Sequence, residues 1–237
     1  MMQLLSIIIP SYNESNYLPK LINKIKSVKL DKKKFTLEII VVDDGSTDNT
    51  QEVLSKIKDI KVIHQKNCGK GSAVQKGIEH SLGDYILIQD ADLEYDPNDY
   101  PKLLEPIFGQ EKIAIFGSRP KKINNTNSFF KDKHIKQGYA PYFMNKLLCF
   151  LFQVLYKIKL TDPLTGYKIY DKKFFQEHNI ISNGFEADHE ITIKLIKSDY
   201  KIIDIPINYN PRSKQEGKKI NYIDGIKAII TLLKFYK

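Results

Sequence analysis

Short apolar runs that end in polar clusters recur through the first half of the chain, and this alternation restricts the fold more than any other feature. Leu4–Ile9, Leu37–Val42, Ile60–Ile63, Tyr85–Ile88 and Ile113–Phe116 are too short for ordinary helices and read as buried strands. Helical spacing fills the gaps. Tyr17, Leu18, Leu21, Ile22, Ile25 and Val28 share one face, and a helix over about Asn49–Ile57 follows a cap at Thr47 or Asp48. A third helix opens from Asn67-Cys-Gly-Lys-Gly-Ser72 and runs to about Ser81. A fourth covers Pro97–Phe108, with Asp96 as its cap and Pro97 at the first helical position. Such alternation predicts an α/β fold, a mostly parallel central sheet with helices on both faces. Ligands of these sheets bind beyond the carboxyl ends of the strands. Pro10–Glu14, Asp43–Asp48, Asp90–Glu94 and Gly117–Arg119 all fall at such ends.

The fourth strand runs into Asp90, Asp92, Glu94 and Asp96. In extended chain Asp90 and Asp92 lie on one face, roughly 7 Å apart along the backbone. Two hard carboxylates there could hold a divalent cation and leave positions open for phosphate oxygens. A solvated acidic turn before a helix is the alternative, and it accounts for Asp96 better than for its neighbours.

A net charge of +9 calls for an anionic partner: nucleic acid, membrane lipid or a phosphorylated substrate. The lysines are scattered and match no nucleic-acid-binding motif, so nucleic acid is not expected. Of 37 basic residues only Arg119 and Arg212 are arginines. A chain that uses lysine by default can reserve arginine for bidentate recognition of phosphate or carboxylate. Cys68 and Cys149 give neither a disulfide framework nor a zinc spacing. No cleavable leader and no apolar run near ~20 residues is evident. The expected location is cytoplasmic, peripheral at the cytosolic face of a membrane.

Further on, Tyr139–Tyr156 is a strongly apolar helix with Lys146 its only charge, and Thr161–Tyr170 is a loop feeding a short strand. Asp171–Glu177 is a short helix, Gly184–Glu190 leads into a helix to about Lys197, and Lys201–Ile207 is a strand. Asn208–Lys219 is a polar loop before an amphipathic terminal helix, Tyr222–Tyr236. Neither repeat nor linker interrupts the chain, so residues 1–237 are expected to form a single domain with a C-terminal elaboration.

Several ordered motifs together resemble a known family. They are Ser6-Ile-Ile-Ile-Pro-Ser-Tyr-Asn-Glu14, Glu38-Ile-Ile-Val-Val-Asp-Asp-Gly-Ser-Thr-Asp48, Gly69-Lys-Gly71, Gln89-Asp-Ala-Asp-Leu93 and Gly117-Ser-Arg119. Asp162-Pro-Leu-Thr-Gly-Tyr-Lys168, Gly184-Phe-Glu186 and Arg212–Lys218 complete the series. The chain resembles inverting family-2 glycosyltransferases of the GT-A (nucleotide-diphospho-sugar transferase) fold, and among them the dolichyl- or polyprenyl-phosphate mannosyl- and glucosyltransferases. That resemblance implies a nucleotide-sugar-binding half over residues 1–120 and an acceptor-side half over 121–237. It implies a donor pocket formed by Pro10, Tyr12, Glu14, Val41 and Asp43, with Asp90, Ala91 and Asp92 against the diphosphate. Asp90 and Asp92 would hold Mg²⁺ or Mn²⁺, with Glu94 a further candidate ligand. Arg119, Arg212 and Lys218 would meet phosphates, Arg119 on the acceptor side, and Asp90, Asp92 and Arg119 would form the catalytic set.

The implied donor is GDP-mannose, with UDP-glucose second. The implied acceptor is a polyprenyl or dolichyl phosphate at a membrane surface, where a membrane-anchoring partner subunit could assist. A lipid phosphate is already anionic and needs no base. A hydroxyl acceptor would need one, and Glu186, Asp188 and Glu190 are the candidates. Lys131, Lys133 and Lys136 favour the lipid phosphate. Gly69-Lys-Gly71 lacks the P-loop pattern and reads as a tight turn, with Lys70 a candidate donor contact.

Overall fold

The computed structural model describes residues 2–120, 140–212 and 222–236. Seven strands form one sheet: β1 (Gln3–Ser11), β2 (Phe35–Asp44), β3 (Lys61–Gln65), β4 (Tyr85–Ile88), β5 (Ile113–Ser118), β6 (Lys168–Asp171) and β7 (Lys201–Pro206). Their order is β3-β2-β1-β4-β6-β5-β7. Every neighbouring pair is parallel except those made by β6, which runs antiparallel between β4 and β5. The expected mostly parallel α/β sheet is present. Sequence spacing alone did not show that β6 would part β4 from β5. Because β6 runs the other way, its first residue, Lys168, pairs with Ile88 at the carboxyl end of β4. The loop before β6 is thereby delivered to the acids that follow β4.

The helices are α1 (Leu18–Ser27), α2 (Thr50–Ser55), α3 (Lys70–Glu79), α4 (Tyr100–Leu104), α5 (Ala140–Tyr156), α6 (Lys172–Glu177), α7 (Ala187–Lys197) and α8 (Tyr222–Lys234). The helix expected over Pro97–Phe108 is shortened to α4, with 3₁₀ turns at Pro97–Asp99 and Glu105–Ile107. Pro101 and Pro106 supply no N–H, so one regular ladder cannot run through the segment. Asp96 caps it as expected, accepting from Asn98 N at 3.1 Å. Asp48 takes the Thr50 amide at the start of α2, at 3.0 Å.

Alternation along β1 separates two cores. Leu5, Ile7 and Ile9 pack with α1 and α4 on one face. Ile8 faces the other way, with Val42, Ile86 and Ile88, under α3, α5, α7 and α8. Burial on both faces is why these strands are apolar throughout rather than alternating. Helix α3 approaches most closely at Gly77, where a methyl would overlap Ile8 Cγ2. Gly77→Ala is therefore expected to lower stability by about 1–2 kcal/mol, the overpacking cost outweighing the gain in helix propensity. A urea titration of the two proteins measures the difference.

Candidate active site

Segments after the carboxyl ends of β1, β3, β4 and β7 meet the loop before β6 around Asp90 and Asp92. The chain leaves β4 through a sharp turn. Leu93 has a left-handed φ of 61°, and the Asp92 carboxylate accepts the Glu94 amide at 3.0 Å. That conformation is costly for leucine, and such strain collects at functional sites.

Two cations hold the acids. Lys70 Nζ stands 2.7 Å from Asp90, and the Arg212 guanidinium 2.9 Å from Asp92 and 3.4 Å from Glu14. Arg212 also lies over the Tyr17 ring, 5.1 Å from its centroid. Lys70 is half-buried, which works against its charge, yet Asp90, Asp188 and Asp92 hold its pKa above the ordinary lysine value. Burial first, then Asp90 and Glu94, push the Asp92 carboxyl up to about 7, and Arg212 offsets only part of this.

Glycines make the close approaches. Gly69, at φ 99°, and Gly71 both lie where a Cβ would strike the 182–187 segment. A methyl at Gly166 would stand 2.7 Å from Asp90 Oδ2 and 3.1 Å from Lys70 Nζ. Asp44 fixes the loop that carries Lys70, accepting from Cys68 N and Gly69 N at 2.9 Å each. Asp43 is wholly buried and accepts from Ser46 N at 3.1 Å and Gln51 at 3.0 Å, with His64 Nδ1 at 3.1 Å. Burial raises its pKa, but bonds from Ser46, His64 and Gln51 leave it below the usual carboxylate value.

Not every expected site residue presents itself to a ligand. Pro10 and Tyr12 are half-buried at the end of β1, and Glu14 sits beside Arg212. Val41 is fully buried in the core and Ala91 nearly so, at 0% and 4% exposure, so neither side chain has surface for a nucleotide. Glu94 accepts from Tyr209 OH at 2.6 Å and Arg212 N at 2.8 Å, fastening the segment after β7. Among the described residues no three of His, Cys, Asp and Glu converge to hold a metal ion, which leaves Asp90 and Asp92 as a pair. The Arg119 fork, expected at the acceptor phosphate, is closed on Asp162 by two bonds of 2.7 Å and stacks on Tyr209. Lys218, Lys131, Lys133 and Lys136 lie outside the described residues.

The three candidate bases also separate. Glu190 is fully buried and accepts from Ile181 N, Ser182 N and Lys194, so it is a structural anchor rather than a base. One Glu186 oxygen accepts from Gly184 N at 3.1 Å. Asp188 alone faces the cluster around Lys70. Sequence reasoning underrated Lys70 and passed over Asp44, Gly166 and Lys168; their position inside the quoted motifs was the available signal.

Glu190 generates a stability prediction. Burial opposes its ionisation, but Lys194 and the Ser182 and Ile181 amides bring its pKa below the ordinary 4.5. Its contribution is therefore complete above pH 4.5 and is lost as pH falls through the depressed value. Glu190→Gln should cost about 1–2 kcal/mol at pH 7 and flatten the acid limb of a stability–pH curve.

Comparison with known proteins agrees with this architecture. Residues 6–178 match the model of Glycosyl transferase family 2. Dolichol-phosphate mannosyltransferase of Pyrococcus furiosus is 34% identical over 221 residues, which is 90% of this chain and 58% of that protein. Dolichyl-phosphate beta-glucosyltransferase ALG5A of Trichomonas vaginalis is 28% identical over 252 residues, covering 97% of this chain and 72% of the relative. Glucosyl-3-phosphoglycerate synthase from Mycobacterium tuberculosis, solved with Mn²⁺, UDP and phosphoglyceric acid, shares the fold. Its TM-score is 0.73 at 17% identity, over 99% of this chain and 78% of that one. The chain thus spans little more than half of the archaeal mannosyltransferase. Strands β2 to β6, the acids beyond β4 and the motifs from Ser6 to Lys168 fall within the matched region, and the chain belongs to glycosyl transferase family 2.

Proposed function

We propose that the chain transfers a hexose from a nucleotide diphosphate sugar to a polyprenyl phosphate, inverting the anomeric centre. The observation that carries this reading is the Asp90–Asp92 pair at the end of β4, where Asp92 is partly buried among acids and keeps a raised pKa even with Arg212 at 2.9 Å. Such a pair of hard oxygen donors fits Mg²⁺ or Mn²⁺. The cation, when bound, would stabilise the charge of the departing diphosphate. Lys70 and Arg212 are fixed cations at the same place and would serve the same charge. Pro10, Tyr12, Glu14 and Asp43, at the ends of β1 and β2, would receive the nucleotide.

The names of the relatives support a lipid phosphate acceptor, and the higher identity of the mannosyltransferase supports GDP-mannose over UDP-glucose. A phosphate nucleophile needs no base, so the burial of Glu190 is no obstacle. Labelled GDP-mannose, polyprenyl phosphate and Mn²⁺ should give a labelled lipid. A product from a saccharide but not from the lipid would replace this acceptor.

The acid pair makes the cation measurable without turnover. Because the Asp92 pKa is raised, its ionisation costs stability as pH climbs from about 3.8 through about 7. A divalent cation relieves that cost. The rise in Tm on adding Mn²⁺ should therefore be larger at pH 8 than at pH 5.5, and Asp92→Asn should abolish most of it. An equal shift in the variant would remove Asp92 from the cation site.

A membrane surface is the proposed partner. Helix α5 exposes Phe143, Leu147, Phe150 and Val154 along one stripe, with Lys146 and Lys157 beside it. Helix α8 exposes Ile223, Ile226, Ile230 and Leu233, flanked by Lys227 and Lys234. Apolar stripes edged by lysine suit an interface with anionic lipid. No described helix is long and apolar enough to cross a bilayer. The protein should sediment with vesicles containing phosphatidylserine, and a Phe150→Glu/Ile230→Glu variant should bind at least tenfold less. Equal sedimentation of the two would refute the assignment.

A further inference from the structure

Lys168 opens β6, paired with Ile88 on one side and Phe116 on the other, and its side chain is 0% exposed. Its ammonium lies 4.6 Å from the centroid of the Phe116 ring and makes no hydrogen bond in the described structure. A lysine buried this way weakens the fold unless its charge is used. Among the described residues the carboxylate within ion-pairing distance is Asp188, at 3.9 Å, which retains 20% of its side-chain exposure; Asp162 acts from farther off.

Other groups cannot take this place. His189 is buried beside it, and burial, then Lys168 itself, push its imidazole down to about 4, so it is neutral at pH 7. Lys70 also acts on Asp188, but its ion pair is with Asp90 at 2.7 Å. Burial lowers the Lys168 pKa while Asp188 opposes the fall, as expected of two charges that sustain each other. Without Lys168, Asp188 would face only Lys70, already bonded to Asp90, and more of its negative charge would reach the cleft. In a site of low dielectric, that charge would repel a phosphate several ångströms away.

We propose that Lys168 is a positioning residue, a buried counter-charge that cancels Asp188 so that a phosphate group can lie beside it in the cleft. The proposal rests on the nucleotide-sugar reading only in requiring a phosphate ligand. That phosphate could belong to the donor or to the lipid acceptor, and the two can be separated by experiment.

Binding of GDP and of farnesyl phosphate, each with Mn²⁺, is measured calorimetrically on the full chain, Lys168→Met and Lys168→Met/Asp188→Asn. Lys168→Met should weaken one of the two ligands on the order of tenfold. Its Tm should equal or exceed that of the wild type, because an unbonded buried ammonium is replaced by an apolar chain. The double variant should regain most of the affinity, since the charge to be cancelled has gone. The ligand that responds identifies which phosphate Asp188 adjoins. Wild-type binding with both ligands within twofold in Lys168→Met overturns the role alone. A lowered Tm without rescue in the double variant also overturns it, making Lys168 structural. Failure of the wild type to bind GDP, UDP (run as a control with Mn²⁺) or farnesyl phosphate removes the nucleotide-sugar reading, and with it any phosphate for Asp188 to adjoin.

Discussion

Concentrated negative charge just beyond β4 is the constraint around which the rest of the site is arranged. Asp90 and Asp92 are near neighbours in a partly buried cleft, with Glu14, Glu94 and Asp188 close by, and like charges at this depth are costly. The chain meets the cost with cations drawn from distant segments: Lys70 from the start of α3, Arg212 from beyond β7 and Lys168 from β6. The first two tie separate stretches of sequence to the end of β4, and Lys168 faces Asp188 on α7. The Asp92 carboxyl nevertheless stays near 7, so the compensation is incomplete. An arrangement that leaves part of its acid charge unmet is suited to receive a further cation.

The sheet order explains how so many segments reach one place. A wholly parallel sheet would put β5 beside β4 and leave the loop before β6 elsewhere. Inserting β6 antiparallel between them brings Thr165-Gly166 up against Asp90 and Tyr95. The same insertion sends Lys168 into the interior beneath Asp188. Neighbouring bonds keep the loop in position: Arg119 grips Asp162, and Asp204 accepts the Thr161 amide at 2.7 Å. Arg119 holds the 161–166 loop through its bidentate, half-buried pairing with Asp162.

Local order was legible in the sequence and long-range pairing was not. Strands at Leu4–Ile9 and Leu37–Val42 could be read because a strand buried on both faces is uniformly apolar, and the structure extends each by only one or two residues at either end. Asp90 and Asp92 were legible because acids after a buried strand are conspicuous. The partners of Arg119 and Glu94 were not, since Asp162 and Tyr209 lie 43 and 115 residues away. Residue type suggested phosphate for Arg119 and metal for Glu94, and gave no sign of the protein partners that each holds in the fold. Glu190 was misjudged for a related reason. A carboxylate on the first turn of α7 looks the same in sequence whether it faces the cleft or the Ile181 and Ser182 amides.

Lys168 shows the limit from the other direction. Lysine is so common in this chain that one more, at the start of a short strand, carries no signal by composition. Its burial makes it unusual, because a solvated lysine costs nothing while one at 0% exposure without a hydrogen bond does. Residues that burden the fold without packing benefit are where function can be sought, since natural cores otherwise favour apolar side chains there. The same reasoning places little weight on the many exposed lysines, and more on the three cations held within reach of Asp90, Asp92 and Asp188. The acid cluster and its buried counter-charges therefore form one electrostatic unit, and altering any member shifts the charge that the others present to a ligand.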